Sequence, residues 1–215
     1  MAKPVGQQYL PVKLIPPASQ SLNDVSDTVA TDNIKALSIQ AIIDGMLAIA
    51  KGEQGNPDRP TLVGLAAPQV GVNKRIIIVG VNADGQGGAI DFRIYINPEI
   101  VNPSQTTNFD REGCYSTDRV CGIVERADQI TVKALNRTGK PVSETYSGFP
   151  ARIFQHEIDH LNGLRFPDRI TDDQNLLWVE PENFGDFREQ WASWPHKCLR
   201  SKWLAIKSGV DTQSN

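Results

Sequence analysis

The stretch ARIFQHEIDHLNG, residues 151–163, contains two of the three histidines in a chain of 215 residues. Its apolar residues recur at the spacing of a helix that buries one face. Pro150 precedes the stretch, where the first turn of a helix tolerates proline, and Asn162 and Gly163 supply a stop. The pattern predicts one embedded helix that carries both histidines, with the rest of the chain packed around it.

His156 and His160 lie four residues apart, so a helix brings both imidazoles to one face. At that separation both rings can bind one tetrahedral ion at about 2.0–2.1 Å. Glu157 follows the first histidine, and a carboxylate there can take a proton from a bound water and later donate it to a leaving amine. The alternatives are a metal-free acid–base pair and an ordinary amphipathic helix. A metal site is favoured because this spacing rarely arises by chance in a histidine-poor chain.

A catalytic metal ion needs a third protein ligand and one open position. The downstream candidates, where metallopeptidases with this helix motif find that ligand, are Glu180, Glu182, Glu189 and His196. His196 stands alone and is more simply a surface or packing residue. Upstream, Cys114 follows a glycine in a polar segment, and its thiolate would complete a set with the two histidines. On the residues alone, a buried cysteine that packs as a small apolar side chain is the more ordinary interpretation.

The segment VGLAAPQVGV, residues 63–72, is rich in small residues around a single amide, Gln69. Small residues let a substrate backbone approach closely, and the side-chain N–H of glutamine can stabilise an oxyanion. The segment lacks the glycine and lysine pattern of a phosphate-binding loop. On these residues alone, a tightly packed turn without a catalytic role is an equal alternative.

Composition indicates a globular protein with one sizeable core, since 40% of the residues are hydrophobic and 22% are charged. A net charge of −3 gives no electrostatic argument for nucleic-acid or membrane partners, so we expect neither DNA nor a membrane to bind. Three cysteines in a chain of this length do not suggest a disulfide framework. The sequence begins without an apolar signal segment and contains no run long enough to span a bilayer, which predicts a cytoplasmic protein.

Hydrophobic periodicity predicts an α+β fold. A long helix with one apolar face is expected within residues 31–52, with Thr31 or Asp32 as its N-cap and an end near Gly52. Strands are predicted at residues 74–81, 90–97, 129–136 and 140–147, the last two joined by an Arg-Thr-Gly turn. The segment after Phe166 contains all four tryptophans and predicts a helical extension that is disordered from about Ser208.

Taken together and in this order, three stretches resemble the signature motifs of the peptide deformylase family. The stretches are LVGLAAPQ at residues 62–69, EGCYS at 112–116 and QHEIDH at 155–160. The family motifs are G-x-G-x-A-A-x-Q, E-G-C-x-S and Q-H-E-x-D-H, and the likeness extends from about residue 34 to residue 170. The resemblance implies a metal-dependent hydrolase of protein biosynthesis that removes the formyl group from N-terminal formyl-methionine and releases formate.

The resemblance also implies a role for each matching residue. Cys114, His156 and His160 would bind one divalent ion with water as the fourth ligand, Fe²⁺ in the cell, replaceable by Zn²⁺, Ni²⁺ or Co²⁺. Glu157 would act as general base and then general acid. The residues implied to stabilise the oxyanion are Gln69 and, through its backbone N–H, Tyr115. Those implied to contact substrate are Gly64, through its backbone, and Val63, Phe149 and Ile153, around the methionine side chain. Arg126 would pair with Asp159 and steady the helix.

For the whole chain, the resemblance implies small mixed or antiparallel sheets around a central metal-bearing helix, with a long N-terminal helix. We expect a single catalytic domain over residues 1–170 and a C-terminal extension over residues 171–215. The implied partners are N-formylmethionyl nascent peptides at the ribosome, and a monomer is expected.

Three positions depart from the family pattern around the substrate groove. Leu62 replaces a glycine, so its Cβ would narrow the cleft or disturb a turn that needs positive φ. Tyr115 replaces a leucine, and Cys121 lies near the position where many family members carry an arginine that contacts the peptide. Two other functions also stay open at this point, the first because of the downstream ligand candidates and the second because of these departures. They are a zincin-like metallopeptidase with a downstream ligand and a non-catalytic, metal-stabilised peptide-binding homologue.

Overall fold

A computed structural model of the chain describes residues 12–53, 62–87 and 89–210. Within these residues the strands are β1 (Gly64–Ala66), β2 (Ile76–Gly80), β3 (Phe92–Pro103), β4 (Thr107–Gly113), β5 (Val120–Ala127), β6 (Gln129–Leu135), β7 (Pro141–Ser147) and β8 (Leu176–Trp178). The α-helices are α1 (Leu37–Ala50), α2 (Gly148–Leu161), α3 (Phe184–Gln190) and α4 (Arg200–Ser208). In this described part of the chain, no helix is both long and apolar enough to cross a bilayer.

A five-stranded antiparallel sheet, in the order β1-β2-β3-β6-β7, separates the two long helices. Strand β2 is buried on both faces because its side chains alternate between two cores. Ile77 and Val79 pack with the apolar residues of α2, whereas Ile76 and Ile78 pack with those of α1. The α+β fold with antiparallel sheets around a central helix is therefore confirmed.

Helix α2 is the predicted histidine-bearing helix. It begins at Gly148, so that Pro150 lies in its first turn as expected, and it ends at the C-cap residue Asn162. Gly163 follows with φ of 71°, and a Cβ there would lie 2.5 Å from the backbone oxygen of Asn23, so only glycine fits this stop. Phe154 anchors the buried face between two tyrosine rings of the large sheet.

A three-stranded antiparallel sheet, in the order β4-β5-β8, forms the second layer. The predicted C-terminal helical extension is confirmed, and it also supplies β8, which pairs with residues 120–122 of β5. Trp203 of α4 is buried against Val120 and Phe166, and Trp194 is buried against Cys121. The domain division at residue 170 stays a prediction, and residues 211–215, where disorder was expected, lie outside the described residues.

Two local features differ from the sequence-based expectations. The N-cap of α1 is Ala36, not Thr31 or Asp32, because Thr31–Asn33 form a separate 3-10 turn and Ala36 has extended backbone angles. The predicted end near Gly52 is confirmed by its φ of 70°. All four predicted strands are present, as β2, β3, β6 and β7, and β6 and β7 form the expected hairpin. The sequence did not predict β4 and β5, whose polar and apolar residues alternate less regularly.

Candidate active site

Cys114, His156 and His160 meet between the end of β4 and helix α2. Their ligand atoms all lie within 4.8 Å of one another. Cys114 Sγ is 3.4 Å from His160 Nε2, although the two residues are 46 positions apart in the sequence. One thiolate and two imidazoles suit a divalent transition metal. Glu157 directly follows His156 on the helix, and its Oε2 is buried without a hydrogen-bond partner in the described part of the chain. The residues therefore fit a metal ion with a bound water.

Glu112 lies directly behind His156 and determines which ring nitrogen faces the thiol. His156 Nδ1 lies 2.9 Å from Glu112 Oε2. Burial raises the pKa of Glu112, but the charges and hydrogen bonds of Arg126 and His156 outweigh burial and hold that pKa well below its usual range. Because the carboxylate can only accept, Nδ1 carries the proton and Nε2 is left free to bind a metal ion.

Two buried arginines hold Glu112 in place. Arg126 donates to both oxygens of Glu112, at 2.9 and 3.0 Å, and to Asp159 Oδ2 at 2.6 Å. Arg152 donates to Glu112 Oε1 at 2.8 Å and to Asn108 Oδ1 at 2.6 Å. The expected pairing of Arg126 with Asp159 is confirmed. The sequence assigned no role to Glu112 or Arg152, although Glu112 begins the EGCYS motif and Arg152 lies within the histidine-bearing stretch, since charge pairs between distant strands and helices leave no local pattern.

Glu157 lies on α2 against the backbone of β1. Burial raises the pKa of Glu157 to about 7, so this carboxyl group can take and return a proton near neutral pH. A Cβ at Gly64 would lie 2.7 Å from Ile153 Cγ2 and would also overlap the Glu157 carboxyl group. Glycine is therefore required where β1 crosses the helix.

Gln69 points its amide N–H groups at Cys114. Its Oε1 accepts the backbone N–H of Ala66 at 2.8 Å, which fixes the orientation of the amide. Its Nε2 lies 3.3 Å from Cys114 Sγ and 3.3 Å from Ser116 Oγ. The segment is thus a tightly packed 3-10 turn that also aims a donor at the site. Tyr115 begins the 3-10 turn that follows Cys114, with its side chain 37% exposed.

The residues expected to contact substrate also lie together. Val63, Phe149 and Ile153 belong to one apolar cluster between α2 and the large sheet. The backbone oxygen of Val63 accepts the N–H of Gly80 at 2.8 Å, which continues the pairing of β1 with β2. The ring of Phe149 lies over Gly85 of the loop after β2.

The departures from the family pattern have different outcomes. Leu62 packs in the α1 cluster, on the face of the sheet away from Glu157, so it does not narrow the site. The expectation of a turn with positive φ at Leu62 is wrong. Among the described non-glycine residues, positive φ occurs at Asn97 and Asp118 and not at Leu62. Cys121 is buried beneath the C-terminal extension, and burial together with Cys114 raises its pKa to about 12.

The downstream metal-ligand candidates do not join the site. Glu180 accepts from Arg119 at 2.6 Å and from the Trp178 indole at 2.9 Å. His196 is exposed beside the ring of Trp194. Among the described residues, the group of ligand atoms contains Cys114 and the two helix histidines and none of these four candidates.

Known proteins of one family match both the sequence and the fold. The family model described as "Polypeptide deformylase" matches residues 13–175. Peptide deformylase of Halothermothrix orenii is 47% identical over 131 residues, which cover 61% of this chain and 77% of that protein. Class I type b peptide deformylase of Acinetobacter baumannii, solved with bound Met-Ala-Ser, superposes with a TM-score of 0.67 at 32% identity, covering 76% of this chain and 100% of that one. Peptide deformylase of Synechococcus elongatus, solved in complex with actinonin, superposes with a TM-score of 0.64 at 30% identity, covering 78% of this chain and 85% of that one.

Proposed function

The chain belongs to the polypeptide deformylase family, and we propose that its own residues carry out the reaction of that family. Family members hydrolyse the N-terminal formyl amide of nascent polypeptides, so the protein is an amide hydrolase that releases formate. The observation that carries the proposal is the placement of Glu157 and Gln69 beside Cys114, His156 and His160.

Cys114 Sγ and the Nε2 atoms of His156 and His160 would hold one divalent ion. That ion, when bound, supplies a Lewis acid that lowers the pKa of a water and polarises the formyl oxygen. The ion proposed for the cell is Fe²⁺, as the family resemblance implies. Zn²⁺, Ni²⁺ and Co²⁺ are proposed as replacements, because Cys-His₂ sites accept several divalent metals.

Glu157 moves the proton in both halves of the reaction. Its carboxylate takes a proton from the attacking water and then delivers it to the amide nitrogen of methionine as formate leaves. A pKa near 7 supports both steps, since the group is partly ionised at neutral pH and still able to donate. Gln69 Nε2 and the backbone N–H of Tyr115 would donate to the oxygen that gains negative charge.

The edge of β1 would bind the peptide backbone. In the described sheet β1 pairs with β2 alone, so its outer edge can accept an extended peptide as a further strand. Gly64 would contribute its backbone at this edge, and Val63, Phe149 and Ile153 would line the methionine pocket. The bound Met-Ala-Ser of the A. baumannii relative supports a substrate of this kind. We propose N-formylmethionyl nascent chains at the ribosome as partners, a cytoplasmic location and a monomer.

The proposal is tested by formate release from formyl-Met-Ala-Ser, using anaerobically purified, metal-loaded protein whose metal content is measured on the same sample. Wild type should release formate, and Glu157→Gln should bind metal without turnover. Metal-loaded wild type that releases no formate would overturn the proposed activity. If Cys114→Ser kept both metal and activity, the third ligand would have to lie elsewhere, as in a zincin-like peptidase.

A further inference from the structure

Arg165 follows α2 and is completely buried, with 0% of its surface exposed. Its guanidinium donates to the backbone oxygens of Ser116 (2.8 Å) and Pro17 (2.6 Å) and to Asn23 Oδ1 (2.8 Å). These three acceptors are uncharged. Burying a charged group among neutral oxygens is costly unless its remaining surface also finds a favourable partner.

The nearby Asp168 carboxylate attracts the guanidinium charge, and Trp203 of the C-terminal extension covers its planar face. Arg165 Cζ lies 4.8 Å from the centre of the indole, and a desolvated guanidinium is strongly attracted to an indole face. The indole Nε1 donates to Asp168 Oδ1 at 3.1 Å, and Lys207 donates to Asp168 Oδ2 at 2.7 Å. These bonds fix α4 on the 3-10 turn Phe166–Arg169, directly after Arg165.

The backbone oxygen that Arg165 holds belongs to the turn that presents Cys114. Ser116 lies within the 3-10 turn Tyr115–Thr117, whose N-cap is Cys114, and the Ser116 N–H points to Cys114 Sγ at 3.5 Å. Cys114 also packs against the buried cluster that contains Trp203. The extension therefore contacts the far side of the turn whose near side carries the thiol.

We propose that Arg165 and Trp203 are positioning residues for Cys114, so that the C-terminal extension sets the geometry of the metal site. The inference rests on the proposed function, because it takes Cys114 as a metal ligand. Trp203 contacts neither substrate nor metal in this scheme. It holds the guanidinium, the guanidinium holds the Ser116 carbonyl, and the turn places the thiolate opposite the two histidines.

Trp203→Leu and Trp194→Leu form a matched pair of variants. Each removes a buried indole of the extension and one indole N–H bond, to Asp168 Oδ1 in the first case and to Trp178 O in the second. Trp194 packs in the separate cluster around Cys121, away from Arg165. The pair therefore separates loss of positioning from general loss of stability.

The readouts are the dissociation constant for Co²⁺, measured by chelator competition, and the thiolate-to-cobalt charge-transfer absorption of the full chain. Measurements are made at a temperature where circular dichroism shows every variant folded. Trp203→Leu should weaken cobalt binding about 10-fold or more, the usual effect of losing a group that orients a ligand, and should reduce the charge-transfer band. Trp194→Leu should leave both unchanged.

Equal cobalt affinities and bands in the two leucine variants would overturn the inference. If Trp203→Leu does not fold, Trp203→Phe and Trp194→Phe replace the pair. A phenyl ring covers Arg165 less favourably than indole, so a smaller loss confined to Trp203→Phe is expected, and no difference overturns the inference. The variant Cys114→Ser distinguishes failure of the proposed metal site from failure of the positioning role alone. If it binds cobalt like wild type, the proposed metal site itself fails, whereas loss of the band in Cys114→Ser alone refutes only the positioning role.

Discussion

Replacement of Glu112 by glutamine removes the one negative charge that joins both buried arginines to the metal site. Glu112 pairs at 2.8–3.0 Å with N–H groups of Arg126, Arg152 and His156. Glutamine keeps the shape and one acceptor oxygen, but its own NH₂ group faces these donors. In the variant Arg126 would keep its pair with Asp159. Among the described residues Arg152 would keep only its bonds to the neutral oxygens of Val124 and Asn108.

The size of the effect follows from the burial of the network. Removing one partner from a buried ion pair costs about 3–5 kcal/mol. For a domain of this size each kcal/mol lowers the melting temperature by about 2–4 °C, so Glu112→Gln should lower it by about 6–20 °C. His156 also loses the carboxylate that fixes its Nδ1 proton, because the amide has one acceptor oxygen for the donors that two oxygens served, and cobalt affinity should fall about 10- to 100-fold.

Scanning calorimetry of the metal-free protein and chelator competition with Co²⁺ measure the two effects separately. Glu125→Gln is the matched control, because Glu125 is exposed on the neighbouring strand and, within the described residues, accepts only from Thr107 at 2.6 Å. Its loss should change stability by about 0.5 kcal/mol or less. Adding Arg152→Met to Glu112→Gln should recover part of the lost stability by removing one uncompensated charge. A Glu112→Gln protein with the same melting temperature as the wild type would refute the charge-based account.

Substitutions at three other positions separate catalysis from stability. Gly64→Ala should abolish formate release from folded protein, because its Cβ displaces the Glu157 carboxyl group, and normal turnover would contradict this geometry. Gln69→Ala should lower kcat about 10²- to 10³-fold in the same assay, while an unchanged kcat would exclude Gln69 as an oxyanion donor. Burial raises the pKa of Asp168, but hydrogen bonds from Lys207 and its other donors leave it below the ordinary 3.8. Its stabilising effect is therefore present above that value and lost as pH falls through the lowered pKa. Acid unfolding followed by tryptophan fluorescence should show this loss in wild type and not in Asp168→Asn, and identical acid curves would contradict it.

Local signals predicted the elements whose structure depends on neighbouring residues. The i, i+4 histidines, the Asn162–Gly163 stop and the Arg-Thr-Gly hairpin all reappear, because helix periodicity and turn chemistry act over a few residues. The start of α1 was mispredicted since two capping residues precede it, and only their packing shows that they close a separate turn. Strands β4 and β5 were not predicted, because their stability comes from pairing with each other and from the C-terminal extension, whose strand β8 pairs with β5.

Local spacing was enough to predict that two histidines and a glutamate share one buried helix, because their apolar neighbours recur at the 3.6-residue repeat of an α-helix. The family resemblance implied Cys114 as the third ligand, but the tertiary fold was needed to bring its Sγ beside the two histidines and to keep the downstream candidates elsewhere, because that contact depends on how β4 ends against α2. The tertiary fold likewise decided that Glu112 supports His156 and that Trp203 lies over Arg165 behind the thiol. These contacts join residues far apart along the chain, and sequence spacing carries no information about which distant surfaces will pack together.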